Sequence, residues 1–158
     1  GPKVQANFYR LLNLVNRQIP LPLGDITNQR SLIYVGNLVE FLLICAKNKN
    51  ASGKTFLVSD PSPLSTSTLI KEIAKALKKE ANLIPLPPKL LLSLSKLIGK
   101  SNEVSRLINS LIIDPSYAFK TLNWNPPFTT QDGLRETANW FLNNQKKLSG
   151  FRNQTLKN

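Results

Sequence analysis

Amphipathic runs of helical period alternate along this chain with short β-prone runs, and that alternation predicts an α/β fold. The β-prone runs are few and short. A free-standing parallel sheet needs several strands with both faces covered. The strands are therefore expected to join a sheet that other residues contribute.

The elements follow in order. Residues 5–17 read as a helix, with Phe8, Leu11, Leu12, Leu14 and Val15 at the spacing of one apolar face. Pro20-Leu21-Pro22-Leu23-Gly24 ends it in an extended stretch with a turn. Ser31-Leu32-Ile33-Tyr34-Val35 is a short strand candidate, and residues 37–47 form a second helix with Leu38, Val39, Phe41, Leu42 and Cys45 apolar. After a polar loop, residues 54–59 read as a strand whose Thr55-Phe56-Leu57-Val58 centre is expected to be buried on both faces. Ser65 or Ser67 caps a helix reaching about residue 79, with Leu69, Ile70, Ile73, Ala74 and Leu77 inward.

Residues 82–86 read as a short strand. Pro87-Pro88 starts a helix to about residue 98, stopped by Gly99. Its run from Lys89 to Lys100 is apolar with basic ends, as an interfacial membrane helix would be. Apolar residues on nearly all sides favour a buried helix instead. Asp114-Pro115 opens a short helix to Leu122, and Thr129 and Asp132 have capping-box spacing at the start of the last helix. Residues 1–145 read as one structural portion and residues 146–158 as a basic, disordered tail.

A length of 158 residues suits one domain, and no run of about 18 apolar residues suggests a membrane span. The start lacks the basic, apolar and small-residue pattern of a secretory leader, so a cytoplasmic protein is expected. Cys45, the one cysteine, reads as a buried apolar residue. With no His, no Cys/His cluster and no suitably spaced carboxylates, no metal site is expected. The net charge of +12 favours anionic partners. The lysines are scattered and do not alternate with aromatics, so neither nucleic acid nor membrane is the expected partner.

The Gly1-Pro2 start, the helix opening at Asn7-Phe8, the element Arg30-Ser31-Leu32-Ile33-Tyr34-Val35 and the block Asp114…Leu122-Asn123-Trp124-Asn125-Pro126 come in a characteristic order. Together they resemble the C-terminal part of the extended short-chain dehydrogenases, the NAD-dependent nucleotide-sugar epimerases and dehydratases. The resemblance runs from Gly1 to about Leu142. It implies the substrate-binding lobe of such an enzyme, with an incomplete Rossmann sheet and the N-terminal Rossmann half absent, most like the UDP-sugar 4-epimerases acting on UDP-glucose or UDP-N-acetylglucosamine or like the 4,6-dehydratase branch.

By that resemblance the partner is a nucleoside-diphosphate sugar. Arg30 forks onto a diphosphate oxygen with its planar paired donors. Asn7 contacts the diphosphate at a helix start, or else makes only a local helix-start contact. Leu21 and Leu23 flank the nucleotide base, and Arg106 lies against the nucleotide. Gly1 and Pro2 resemble the close of a Tyr-Gly-Pro-Gly strand that borders the cofactor, with Lys3 in place of the final Gly. Gly36 stands where the family usually has a helix-capping Asp, and Asn37 is expected to take over that cap. Trp124 is expected to pack the short helix onto the domain.

The chain has no Gly-x-x-Gly-x-x-Gly to cradle the pyrophosphate of NAD. It has no Tyr-x-x-x-Lys pair either: Tyr9, Tyr34 and Tyr117 are followed at that spacing by Asn13, Leu38 and Thr121. NAD therefore belongs to the intact family, and no cofactor binding or turnover is expected of this chain alone. An alternative from another class is a stand-alone basic interaction module that binds nucleic acid or an anionic membrane surface.

Overall fold

The computed structural model describes residues 1–97 and 99–155, with side chains as far as residue 145. Its helices are α1 (Ala6–Asn16), α2 (Val35–Lys47), α3 (Thr66–Ala76), α4 (Pro88–Leu97), α5 (Ser101–Ile108), α6 (Ser116–Leu122) and α7 (Thr130–Thr155), with a 3₁₀ turn at Lys49–Ala51. The fold is mostly helical.

Two cores hold it. In the larger, Leu12 and Val15 of α1, Ile70, Ile73 and Ala74 of α3, Leu91 of α4 and Leu134, Ala138 and Phe141 of α7 close around Leu21, Leu23 and Ile26. The inward residues of α1 and α3 recur at three- and four-residue steps, so one face of each is withdrawn from water. The smaller core joins Phe41 of α2 to Ala118 and Leu122 of α6 and to Trp124. The Phe41 and Trp124 rings lie 4.9 Å apart. The Trp124 indole N–H donates to Glu40, which satisfies its polar edge. Cys45 packs at the margin of this core, where burial pushes its thiol pKa up.

The caps follow local chemistry. The Ser65 hydroxyl accepts from the Thr68 N–H at 3.0 Å. Thr129 and Asp132 form the reciprocal box, each accepting the other's backbone N–H at 3.1 Å. Asp114 Oδ1 accepts from the Ser116 N–H at 2.9 Å. Gly99, at φ +66°, closes α4. The expected last turn at residue 98 lies outside the described residues. Of the tail expected from Lys146, the backbone is described to Thr155, where it continues α7, and residues 156–158 lie outside the described residues.

Four expectations change. No strand occurs among the described residues; the extended segments meet at isolated bridges, Leu21 with Leu83 and Arg30 with both Leu64 and Leu111. Ser31-Leu32-Ile33-Tyr34-Val35 is not a strand, and Val35 already begins α2. Residues 54–59 are extended but make no ladder. Leu57 is 63% exposed between half-buried Phe56 and Val58, so the segment is covered on one face. α4 is not buried all round: it buries Leu91 and Ser95 while Leu90, Leu94 and Leu97 stand exposed. Asn37 does not cap α2, because its amide is bonded to Asp60 and to the Phe128 backbone. α5 was not foreseen as an element.

Candidate functional site

Arg30 sits where three separate stretches of chain converge. Its backbone N–H donates to the Leu64 carbonyl at 2.9 Å and its carbonyl accepts from the Leu64 N–H at 3.0 Å. On the other side, Ser31 donates to the Leu111 carbonyl at 2.9 Å and Leu111 donates to the Gln29 carbonyl at 2.8 Å. Backbone bonds on both flanks fix the base of the side chain.

The Arg30 guanidinium lies across the C-terminal end of α5. Its Nη1 donates to the Arg106 carbonyl and, at 3.3 Å, to the Asn109 carbonyl. Those carbonyls carry the negative end of the helix dipole, so a cation is favoured there. Arg30 is half-buried and its Nη2 and Nε donate to no group among the described residues. Arg106, on the last turn of α5, is exposed. The fold thus seats the Arg30 guanidinium on the backbone of Arg106, far away in sequence, at the end of one helix.

This geometry can bind an anion. One edge of the Arg30 fork is held by protein carbonyls and the rest is available to oxygen acceptors. Its position rests on neighbours that sequence reasoning missed. Asn28 is buried beneath it, and Nδ2 of Asn28 donates to the carbonyls of Leu107 and Asn109 at 3.1 and 3.0 Å. The Thr66 hydroxyl donates to the same Leu107 carbonyl at 2.6 Å. A polar Thr27-Asn28-Gln29 run before Arg30 is the only sequence signal for this hub.

The other expected site residues lie elsewhere. Asn7 is exposed on the first turn of α1, and its side chain makes no hydrogen bond among the described residues. Leu21 and Leu23 are buried in the larger core, so their side chains face inward. The backbone of Leu21 is engaged too, donating to the Asn82 carbonyl at 2.9 Å and accepting from Ile84 at 2.8 Å. Pro2 is exposed. Gly1 packs on α2 so closely that a Cβ there would lie 2.2 Å from Cγ1 of Val35. It borders a cavity of about 190 Å³ shared with Tyr34, Asp60 and Thr130. Lys3, in the place of the expected final Gly, takes the left-handed φ of +63° that a glycine would adopt freely.

The chain is 43% identical over 143 residues to the UDP-glucose 4-epimerase of Vibrio cholerae, a match covering 90% of this chain and 44% of that protein. This chain belongs to the epimerase family. It is also 27% identical over 158 residues to an N-acetyl-alpha-D-glucosaminyl-diphospho-ditrans,octacis-undecaprenol 4-epimerase of Escherichia coli O157:H7, covering 93% of this chain and 48% of that protein. No protein-family model matches the chain. The chain spans less than half the length of either epimerase relative. Both relatives act on substrates carrying a sugar on a diphosphate, by their names. Among the described residues no cluster of metal-ligating side chains occurs, and no helix is long and apolar enough to cross a membrane.

Proposed function

We propose that this chain supplies the diphosphate-holding part of a nucleotide-sugar 4-epimerase. The observation that carries the reading is the seat of the Arg30 guanidinium on the carbonyls at the end of α5, with most of its fork unspent. In this reading the chain binds and orients a UDP-sugar through its diphosphate. Arg30 supplies planar paired donors, Arg106 adds charge at the rim, and Asn7 is a second donor on the first turn of α1.

The residues present do not fit NAD. A pyrophosphate cradle needs closely spaced glycines whose backbone is open to the ligand. Gly1, Gly36 and Gly133 are instead pressed against Val35 and Tyr34. The oxidation and reduction at the sugar belong to residues outside this chain, and the isolated chain is expected neither to turn over nor to bind NAD.

Calorimetric titration with UDP tests the reading. Saturable binding that Arg30→Ala weakens by about 1.5–3 kcal/mol, roughly ten- to a hundredfold, is the expected result. Unchanged affinity in Arg30→Ala overturns it. Binding to any polyanion with a steep salt dependence and no preference for UDP would favour a basic interaction module instead.

A further inference from the structure

We infer that Asn28 is a positioning residue for the anion-binding arginine, acting through the chain end on which Arg30 rests. The inference builds on the diphosphate reading of Arg30 but concerns a residue that this reading leaves without a role.

Asn28 is buried and uses both ends of its amide. Oδ1 accepts the Thr66 N–H, the first of α3, at 2.9 Å. Nδ2 donates to the carbonyls of Leu107 and Asn109 at the close of α5. One side chain therefore joins the start of one helix to the end of another. Both sets of groups have no intrahelical partner, since helices leave their first N–H and last C=O groups open.

The Asn109 carbonyl is shared. It accepts from Asn28 Nδ2 at 3.0 Å and from Arg30 Nη1 at 3.3 Å. Asn28 is two residues before Arg30 on the same extended segment, so it holds the surface on which the guanidinium lies. With the carbonyls fixed, Nη1 is committed to protein and the remaining donors keep one direction. Without Asn28, the Leu107 carbonyl keeps the Thr66 hydroxyl and the Asn109 carbonyl keeps only Arg30 as a side-chain partner, and Arg30 samples orientations that a diphosphate must then select against. Preorganised donors bind more tightly because that ordering cost is already met.

The test is a double-mutant cycle read by UDP calorimetry on the full chain. Asn28→Ala and Asn28→Asp both remove the two donors, and Asn28→Asp keeps an acceptor for Thr66. Each is expected to weaken UDP binding about three- to tenfold, the scale of one hydrogen bond. In the Arg30→Ala background the same substitution is expected to change affinity less than twofold. A merely structural role predicts additivity instead. Equal loss in both backgrounds, or no loss in either, overturns the inference while leaving the Arg30 effect standing. No effect of Arg30→Ala itself overturns the diphosphate reading and this inference with it. If both Asn28 variants unfold, Thr66→Val serves, since it removes only the hydroxyl bond to the same Leu107 carbonyl. A loss that disappears in the Arg30→Ala background supports the inference, and one that persists there overturns it.

Discussion

Asn37 donates from Nδ2 to Oδ1 of Asp60 at 2.8 Å, and both side chains are buried. The same Asn37 amide exchanges two bonds with the Phe128 backbone, at 2.9 and 3.0 Å. Asp60 in turn accepts the Tyr34 N–H, at 3.3 and 3.2 Å to its two oxygens. The pair thus binds the start of α2, the loop before α3 and the approach to α7. This is why Asn37 does not cap its own helix: its side chain is spent across the fold, and Asp60 takes the N–H at the α2 entrance.

Asn37→Ala should therefore cost more than an ordinary cap. It strips a donor from a buried carboxylate and leaves a backbone donor and acceptor at Phe128 unmet. Each unmet buried group costs on the order of 1–3 kcal/mol. A loss of about 2–4 kcal/mol in urea unfolding is expected. A loss below about 0.5 kcal/mol, the surface-mutation scale, would show that water replaces the amide.

Gly133 should not tolerate a side chain. A Cβ there would lie 2.7 Å from both Cγ and Cδ2 of Tyr34 and 2.9 Å from its Cβ, so the ring cannot swing clear. On its other edge, a Cβ at Gly36 would stand 2.5 Å from Tyr34 Cε1. Gly133→Ala should destabilise by about 1–3 kcal/mol despite the better helix propensity of Ala. In a Tyr34→Gly background, which removes the Cβ as well as the ring, the same change should be neutral or favourable. Thermal melts of the four proteins measure the coupling, and additive losses would contradict the contact.

How far the fold was legible follows from where each interaction lies. Leu12 and Val15, the α3 face, the Ser65 cap and the Thr129–Asp132 box depend on neighbours within a few residues, so period and capping rules reach them. The reversals after α1 and α3 do not announce themselves. Gln18 and Lys78 adopt φ +53° and +56°, where Gly would have been the readable signal. The propensity of Thr55-Phe56-Leu57-Val58 did predict an extended chain, but a ladder needs partners that no local rule supplies. Arg30 was legible as part of a motif. Its seat was not, because Asn28 finds its carbonyl partners 79 and 81 residues away.

Acid should weaken the start of α7. Hydrogen bonds from the Thr129 side chain and backbone, with Arg135 nearby, hold the Asp132 pKa below its usual value. A carboxylate whose folded pKa is depressed stabilises above its unfolded pKa and loses that contribution as pH falls through the folded value. The melting temperature should therefore fall on acidification below the ordinary carboxylate range. Asp132→Asn should flatten part of that fall while lowering stability at neutral pH. An unchanged acid limb in Asp132→Asn would assign it to other carboxylates, such as Asp114, whose pKa is held down by hydrogen bonds from Ser116.

The outer face of α2 should make the isolated chain associate. Val35, Val39, Leu42 and Leu43 recur at four-, three- and one-residue steps and are 43%, 50%, 56% and 56% exposed, so they form one apolar stripe. Beside the smaller core that α2 covers runs the unpaired segment 54–59 with Leu57 outward. Apolar stripes rarely stay open to water on a stable monomer, and an unpaired extended edge is a template for further pairing. In the proposed reading, the remaining half of the epimerase covers this face. The isolated chain should bind a hydrophobic dye and sediment as a mixture of species. Val39→Glu with Leu43→Glu should reduce both without lowering the melting temperature, because neither side chain serves a core. Adding an N-terminal fragment from a relative should also reduce dye binding, and the α2 substitutions should then abolish the rescue. A monodisperse monomer that binds no dye and melts in one sharp transition would show that the chain closes its own core. In that case the extended segments are complete as they stand, and the case for an independent module becomes the stronger one.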